Sequence, residues 1–265
     1  MRSLAFAKYE GLGNDFIIIE AERESDVEAP QVIALCDRRF GIGGDGVLLV
    51  LPAEGPEAVH RMKVINADGT VPEMCGNGLR CVAIHVARAR GRGERELVFE
   101  TDAGARRCVI ADACGEGMVS VDMGVIGVAG DRVLDLDGES VTLTLADAGN
   151  PHAILFGERT PAEVERLGAA IARHSVFSRG TNVEFARVSG GAIDLTVWER
   201  GVGITMACGT GACATAAVAC DKGFLPRNVA ASVRLPGGAL EITIDDRNRA
   251  TMRGPARRVF SGTSG

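Results

Sequence analysis

Short apolar runs of two kinds alternate along the chain. Residues 4–10 alternate between apolar and polar positions, which predicts a strand with one buried face. Residues 11–15 predict a turn that leads into a second strand, the apolar residues 16–19. Proline introduces a predicted helix over residues 31–39 and, within a Thr-Pro-x-Glu capping box, a second helix over residues 164–174. Further short strands are predicted over residues 96–100, 107–111, 118–123, 141–145 and 231–235.

A short cysteine signature occurs twice in the chain. It reads Met74-Cys75-Gly76-Asn77-Gly78 in the first half and Ala207-Cys208-Gly209-Thr210-Gly211 in the second. Each copy opens an apolar stretch that predicts a helix. Each stretch ends at a glycine, Gly91 or Gly223, which suits a left-handed helix end.

The two predicted cysteine helices differ in polarity. Residues 212–220 carry no charge, so this helix is apolar on every face. Such a helix must be buried on every face, which predicts a central helix wrapped by a sheet. The helix after Cys75 contains Arg80, His85 and Arg88, so we expect one of its sides to reach solvent or a charged partner.

The cysteine signature belongs to a longer internal duplication. At a nearly constant offset, Gly13-Asn14 and the apolar run after it align with Gly149-Asn150 and its apolar run. The loop from Phe40 to Asp45 aligns in the same way with the loop from Phe177 to Asn182. Asn66 and Glu199 each precede their cysteine by nine positions. A repeat this long is a domain rather than a solenoid unit, whose period is shorter.

The duplication predicts two similar domains of mixed α and β structure that face each other, with the cysteine helices near the seam. We expect the first over residues 1–121 with Cys75 and the second over residues 122–255 with Cys208. A tail, residues 256–265, is expected to return to the first domain. Residues 131–140 are expected to form a polar linker.

Composition and charge exclude several classes of function. The net charge is −6 and basic runs with interleaved aromatics are absent from the sequence, which argues against nucleic acid or anionic membrane as a partner. The apolar runs are too short to span a bilayer, and the first residues contain no apolar segment typical of a signal peptide. Eight cysteines without compact disulfide spacing indicate reduced thiols in the cytoplasm.

Paired thiols at helix starts suit one particular kind of chemistry. Helix N-terminal amides and the macrodipole lower the pKa of a cysteine from about 8.5 toward neutrality. Two such groups, one deprotonated and one protonated, invert a stereocentre by removing a proton from one face and adding one to the other. The amides of residues 76–78 and 209–211 would stabilise negative charge on the substrate carboxylate. This chemistry requires no metal, and no lysine lies in a context that suggests a pyridoxal Schiff base.

A series of further motifs accompanies the two cysteines. They are Lys8-Tyr9-Glu10-Gly11-Leu12-Gly13-Asn14-Asp15-Phe16, Asn66-Ala67-Asp68-Gly69, Gly149-Asn150-Pro151-His152, Gly180-Thr181-Asn182-Val183-Glu184-Phe185, Glu199-Arg200-Gly201 and Gly254-Pro255-Ala256-Arg257-Arg258-Val259-Phe260. In this order they span nearly the whole chain, and together with the cysteine signatures they resemble the diaminopimelate epimerase family. The resemblance implies an α/β (α+β) fold of two pseudo-symmetric domains, each a curved, mostly antiparallel sheet or barrel wrapped around a central helix.

The family resemblance also implies a function and a set of site residues. It implies cofactor-independent epimerisation of LL-2,6-diaminopimelate to meso-diaminopimelate, in lysine and peptidoglycan biosynthesis, by a cytoplasmic homodimer without pyridoxal phosphate. Cys75 and Cys208 would be the catalytic bases, with His152 and Glu199 tuning their pKa values. The substrate-binding residues implied are Asn14, Asn66, Gly76, Asn77, Asn150, Asn182, Glu199, Arg200, Gly209 and Thr210.

Several alternatives to this function stay open. Many family members carry Glu where Ile204 stands, so a racemase of another amino acid on the same scaffold is the nearest alternative. A proton-shifting isomerase is a weaker one, because such enzymes lack the paired thiols. From a different class, the chain would be a non-enzymatic small-ligand binder, or a thiol redox protein that closes Cys75 and Cys208 as a disulfide.

Two simpler interpretations concern glycine and cysteine. Residues 41–46 match G-x-G-x-x-G, but a predicted helix precedes them and a strand follows, which favours a tight turn over a dinucleotide site. A zinc site is not favoured, because the chain has no C-x-x-C spacing. The remaining cysteines are expected to pack as small apolar or surface side chains: Cys36, Cys81, Cys108, Cys114, Cys213 and Cys220.

Overall fold

The chain divides into two compact units. A computed structural model describes residues 3–72, 74–91, 96–112, 116–136 and 138–264. Unit 1 comprises Met1–Asp122 together with Arg253–Gly265, and unit 2 comprises Met123–Met252. Cys114 lies outside the described residues. Among the described residues, no helix combines the length and the apolar character needed to cross a membrane.

Unit 1 is a sheet around one of its helices. Its elements are β1 (Ala5–Gly11), β2 (Asn14–Glu20), a 3-10 turn (Glu24–Asp26), α1 (Ala29–Cys36), β3 (Gly46–Leu51), β4 (His60–Asn66), α2 (Gly76–Ala89), β5 (Glu96–Glu100), β6 (Arg106–Asp112), most of β7 (Glu116–Val125) and most of β16 (Arg249–Thr263). The strands follow the order β1-β2-β3-β4-β5-β6-β7-β16, and β16 pairs back with β1, which closes an eight-stranded barrel. Helix α2 contacts five of these strands and is buried along most of its length.

Unit 2 repeats this plan. Its elements are β8 (Gly127–Leu136), β9 (Glu139–Asp147), β10 (Pro151–Phe156), α3 (Pro161–Ala172), β11 (Asn182–Ser189), β12 (Ala192–Glu199), β13 (Gly203–Ile204), α4 (Gly209–Asp221), β14 (Ala231–Leu235) and β15 (Gly238–Ile244). The sheet order is β16-β15-β14-β12-β11-β10-β9-β8, with the start of β16 at one end. Helix α4 contacts seven of these strands. The predicted two-domain α+β architecture is confirmed.

The strand pairing preserves the internal duplication. In unit 1, β2 pairs in parallel with β3, and Phe16 stands opposite Gly46. In unit 2, β10 pairs in parallel with β11, and Ala153 stands opposite Val183. The next strand is antiparallel in both units, and the crossover through the central helix then brings in a parallel strand, β5 beside β4 and β14 beside β12. Each cysteine helix is therefore the crossover between two parallel strands of its own sheet.

Burial of α4 confirms the expectation drawn from its composition. Ala212 through Ala219 are all buried, and alanine, cysteine and threonine side chains keep the helix thin enough for strands to surround it. The expectation for α2 was wrong in one respect. Arg80 is fully buried rather than solvent-facing, and its Nε donates to the carbonyl of Pro255 at 3.1 Å. Its charge therefore faces the barrel interior and ties α2 to β16.

The predicted linker over residues 131–140 was also wrong. Most of these residues belong to the antiparallel hairpin of β8 and β9, whose register runs from Gly127–Asp147 to Leu136–Glu139. Strand β8 is polar because it lies at the end of the sheet order and buries only Leu134 fully. Because β8 has almost no buried face, apolar and polar residues do not alternate clearly along it, and the sequence pattern does not identify a strand.

The capping box at the start of α3 generates a stability prediction. Thr160 Oγ1 accepts the N–H of Glu163 at 3.3 Å, and Glu163 Oε2 accepts the N–H of Thr160 at 2.8 Å. We expect Thr160→Ala to lower the free energy of unfolding by about 1 kcal/mol, because the helix loses this acceptor. Denaturant titration measures the change. Thr160→Ser keeps the hydroxyl and is the control; an equal loss in both variants would contradict the capping role.

Candidate active site

Both signature cysteines cap the helices that they precede, as predicted. Cys75 is the N-cap of α2, and its Sγ accepts the N–H of Gly78 at 3.3 Å. Cys208 is the N-cap of α4, and its Sγ accepts the N–H of Gly211 at 3.4 Å. Both cysteines have extended backbone angles, as N-cap residues do. The two sulfur atoms thus occupy equivalent positions in the two units.

The second glycine of each signature is required by packing. A Cβ at Gly78 would lie 2.9 Å from Leu48 Cδ2 and 3.4 Å from Cys75 Sγ. A Cβ at Gly211 would lie 2.8 Å from Glu184 Oε1 and 3.3 Å from Cys208 Sγ. A side chain at either position would therefore collide with the side chain of Leu48 or Glu184 and crowd the thiol. The Cys-Gly-x-Gly pattern holds the sulfur close against the first helical turn.

The first glycine and its neighbour form the start of each helix. Gly76 and Gly209 are both buried and are the first helical residues of α2 and α4. The N–H groups of the first helical turn are not used by the helix's own hydrogen bonds. Thr210 Oγ1 lies 3.5 Å from Cys208 Sγ. Asn77 is buried in the corresponding position of unit 1.

Asn14 and Asn77 are joined in unit 1. Asn77 Nδ2 donates to Asn14 Oδ1 at 2.5 Å, and Asn14 Nδ2 donates to Asp45 Oδ2 at 3.1 Å. Asp45 Oδ2 also accepts the N–H of Asp15, and the Asp45 carbonyl accepts the N–H of Ala67. Asp45 consequently connects the β1–β2 turn, which carries Asn14, to the end of β4, which carries Asn66.

Two cations fix this part of unit 1. Lys8, which is buried, pairs with Asp15 at 2.6 Å and also donates to the carbonyl of Gly43. Arg38 pairs with Asp15 at 2.6 Å and with Asp45 at 2.9 Å. Burial opposes the charged form of Asp15, but hydrogen bonds from Arg38 and Lys8 outweigh it and lower its pKa. Residues 41–45 thus form a loop between α1 and β3 that Lys8 holds through the Gly43 carbonyl, where the sequence predicted a tight turn.

Asn66 is held by its own turn. Its Nδ2 donates to Thr70 Oγ1 at 2.9 Å, and the Thr70 hydroxyl donates in turn to Asp68 Oδ1 at 2.6 Å. Gly69, with φ of 84°, provides the left-handed residue that this turn needs. The Asn-Ala-Asp-Gly motif is therefore a self-contained turn at the end of β4.

Cys208 has an electrostatic environment that the sequence did not predict. Burial raises the pKa of its thiol well above the usual range, and the carboxylates of Glu199 and Glu184 raise it further. The hydroxyl of Thr210 and the N–H of Gly211 act in the opposite direction without offsetting this. The expectation that the helix start would lower this pKa toward neutrality was wrong for Cys208, because desolvation outweighs two weak hydrogen bonds.

His152 lies between a carboxylate and an amide in unit 2. Its Nδ1 is 2.6 Å from Glu184 Oε1, and its Nε2 is 2.8 Å from Asn150 Oδ1. The side chains of His152 and Glu184 are both fully buried. The Glu184 carboxylate also packs against Gly211 in the first turn of α4. This cluster therefore connects Asn150 to the helix that Cys208 caps.

Asn182, Glu199 and Arg200 lie around the ends of β11 and β12. Asn182 Oδ1 accepts the N–H of Arg200 at 2.9 Å, and Asn182 Nδ2 donates to the carbonyl of Pro151 at 3.3 Å. Glu199 Oε1 accepts the Thr205 hydroxyl at 2.6 Å. The exposed side chain of Arg200 donates from Nη1 to the carbonyl of Arg179 at 2.7 Å. Asn182 thus holds the backbone from which Arg200 extends.

The predicted site residues form one group in each unit. Unit 1 brings together Cys75, Gly76, Asn77, Asn14 and, through Asp45, Asn66. Unit 2 brings together the rest of the set: Asn150, His152, Asn182, Glu199, Arg200, Cys208, Gly209 and Thr210.

Sequence reasoning missed Asp45 and Glu184. Asp45 ends the loop that aligns with the loop ending at Asn182, so the duplication carried a signal for it. Glu184 is a charged residue in the otherwise apolar start of β11, where a buried carboxylate needs a partner. Its partner, His152, stands on the adjacent strand and is not close in sequence.

Comparison with known proteins agrees with the motif order. The family model described as diaminopimelate epimerase matches residues 6–127 and 144–259. A curated diaminopimelate epimerase from a Synechocystis strain is 40% identical over 280 aligned positions, covering 98% of each chain. One from Desulfitobacterium hafniense is 41% identical, covering 98% of this chain and 97% of the relative.

A solved structure shares the fold at low sequence identity. The crystal structure of a hydroxyproline epimerase from Agrobacterium vitis matches with a TM-score of 0.77 at 18% identity, covering 99% of this chain and 92% of the other. This likeness concerns the fold. The family model spans most of the chain and the curated relatives span nearly all of it, and they establish that the chain belongs to the diaminopimelate epimerase family.

Proposed function

We propose that this enzyme epimerises LL-2,6-diaminopimelate to meso-diaminopimelate, in lysine and peptidoglycan biosynthesis, without a cofactor. The observation that carries the proposal is the pair of N-capping cysteines, one at the equivalent place in each unit. The curated relatives, at about 40% identity, are named for this activity. The amide groups beside each cysteine suit an amino-acid substrate, because an amide both donates to carboxylate and accepts from ammonium.

The proposed reaction is a two-base proton exchange. One cysteine, as the thiolate, takes the α-hydrogen as a proton and leaves the electron pair on the carbon and its carboxylate. The other cysteine, as the thiol, gives its proton to the opposite face of that carbon. Helix N-terminal amides stabilise the charge that develops on the carboxylate. We assign that role to the amides of Gly76, Asn77, Gly209 and Thr210.

The remaining residues are assigned to recognition and to the thiols. Asn14, Asn66, Asn150 and Asn182 would bind the polar ends of the substrate, and Arg200 would bind a carboxylate. Glu199 would act on the thiol of Cys208. Burial is the main cause of the raised pKa of this thiol, and the Glu199 carboxylate raises it further. His152 would act in the same site through Asn150.

Lysine chemistry supports independence from pyridoxal phosphate. The sequence contains three lysines, and a pyridoxal Schiff base requires one with a neutral, available amine. Lys8 pairs with Asp15 and Lys63 pairs with Asp102, each at 2.6 Å, and Lys222 pairs with Asp131 at 2.8 Å. Each amine is therefore occupied by an ion pair with a carboxylate. The seven cysteines in the described part of the chain are thiols rather than disulfides, which fits a reducing cytoplasm.

Deuterium incorporation tests the proposed reaction. The reduced protein, in deuterated water with single-isomer diaminopimelate, is expected to place deuterium at the α-carbon and to form the other isomer. Cys75→Ala and Cys208→Ala should each lower the epimerisation rate by at least about 100-fold, because each removes one acid–base group. NMR and mass spectrometry follow the exchange.

Matched controls come from the same two helices. Cys81 and Cys213 are buried in α2 and α4, and Cys81→Ala and Cys213→Ala should leave the rate nearly unchanged. Exchange with glutamate or proline but not with diaminopimelate would indicate the racemase alternative. Absence of exchange with every amino acid would contradict an epimerase and favour a binder or a redox protein.

The assigned role of Glu199 predicts a shift in thiol reactivity. Glu199→Gln removes a negative charge near Cys208, so the pKa of Cys208 should fall and more thiolate should be present at any given pH. Alkylation of Cys208 by iodoacetamide, measured by peptide mass spectrometry across pH, should therefore reach its midpoint at lower pH. Glu165→Gln, an exposed change in the same unit, is the control. An unchanged or higher midpoint would contradict the assignment.

We also propose that the enzyme is a homodimer, as the family resemblance implies. Sedimentation velocity at micromolar concentration should give twice the mass of one chain. A species with the mass of a single chain across the accessible concentrations would contradict this assignment.

A further inference from the structure

Three side chains of unit 2 form a continuous hydrogen-bonded chain. Glu184 Oε1 lies 2.6 Å from His152 Nδ1, and His152 Nε2 lies 2.8 Å from Asn150 Oδ1. The first two side chains are fully buried, and Asn150 is the member that the proposed function assigns to the substrate. The chain therefore runs from the interior of the unit to a recognition group.

The hydrogen between Glu184 and His152 belongs to the histidine ring. A carboxylate only accepts, so Nδ1 must donate across the 2.6 Å separation. The second carboxylate oxygen, Oε2, is buried and has no hydrogen-bond partner among the described residues. A buried carboxylate is stable only when it is compensated, and the ring of His152 is the group bonded to it.

The other ring nitrogen faces an acceptor as well. The Asn150 oxygen accepts and cannot donate, so Nε2 also carries a hydrogen and donates it at 2.8 Å. His152 then has hydrogen on both ring nitrogens, and its positive charge balances Glu184. Because Asn150 Oδ1 accepts this hydrogen bond, the Nδ2 group of Asn150 remains available as a donor. In the described part of the chain no protein group accepts from that nitrogen.

We propose that Glu184 is a positioning residue that acts through His152 to orient the Asn150 amide, so that Nδ2 donates to a carboxylate oxygen of the substrate. The identity of the substrate rests on the proposed function, whereas the orientation is a property of the protein alone. Glu184 thereby selects a carboxylate, rather than an ammonium group, as the partner of Asn150.

Removing the charge of Glu184 should reverse this preference. In Glu184→Gln the His152 ring is no longer balanced by a carboxylate and keeps a single hydrogen. With that hydrogen on Nδ1, Nε2 becomes an acceptor and takes the Asn150 Nδ2 group, which turns Oδ1 toward the substrate. An amide oxygen repels a carboxylate, so binding should weaken in the ground state and the transition state alike.

Nitrogen-15 NMR of the substrate-free protein tests the orientation directly. The chain has four histidines, and His152→Gln identifies the signals of His152. Under the conditions of the activity assay, both ring nitrogens of His152 should show protonated shifts, with a slowly exchanging hydrogen on Nδ1. An unprotonated Nε2 or Nδ1 would overturn the proposal. This measurement uses the wild-type protein and does not depend on how any Glu184 variant folds.

Kinetics with a matched control test the consequence for binding. In Glu184→Gln we expect KM for diaminopimelate to rise about 10-fold or more, with a single protonated ring nitrogen on His152. Because the Glu184 carboxylate also raises the pKa of Cys208, kcat should change as well, so KM is the readout of the Asn150 orientation. Glu184→Asp retains the charge and should recover part of the affinity. Glu20→Gln alters a second histidine–glutamate pair, with His85 at 2.9 Å in unit 1, and should change neither the KM nor the protonation of His152.

The outcomes separate this inference from the proposed function. An unchanged KM in Glu184→Gln, or a doubly protonated His152 in that variant, would overturn the positioning role of Glu184. Absence of activity toward diaminopimelate with a doubly protonated His152 in the wild type would overturn the proposed function and leave the orientation of Asn150 standing.

Discussion

The hydrogen bond from a helix amide to a cysteine sulfur organises both halves of this molecule. In each unit the N–H of the third helical residue points at the sulfur of the N-cap, at 3.3 Å in one and 3.4 Å in the other. The helix cannot shift, because strands surround it, and the donor must be glycine, because Leu48 or Glu184 occupies the space of a side chain. A reactive group is thus attached to the most constrained element of each unit.

The two units give their equivalent cysteines different electrostatic environments. In unit 1 the neighbouring asparagines are anchored by two carboxylates and two cations, whose charges pair with one another. In unit 2 two carboxylates and burial act on Cys208 and favour its neutral thiol. Duplication preserved the backbone positions of the two cysteines, whereas the side chains around them diverged.

Much of the fold and part of the site were predictable from particular residues. The capping box at Thr160, the glycine stops at Gly91 and Gly223, and the uncharged residues of α4 each indicate a local structure, and each was confirmed. Strand β8 was missed because it has almost no buried face, and the burial of Arg80 was missed because its acceptor, Pro255, lies far away in sequence. Caps and helix ends depend on neighbouring residues and can be predicted from local sequence. A contact with a strand distant along the chain cannot.

The sequence by itself determined the duplication, the placement of one cysteine at the start of a helix in each half, and membership of a family that inverts an amino-acid centre. These follow from residue order and spacing, because caps, turns and hydrophobic patterns act over a few positions. Only the tertiary structure decided that Glu184 bonds His152 and that Asp45 holds Asn14. It also decided that burial reverses the expected effect of a helix start on Cys208. Desolvation and charge pairing depend on which side chains surround a group in space, and that is set by the packing of strands distant along the chain.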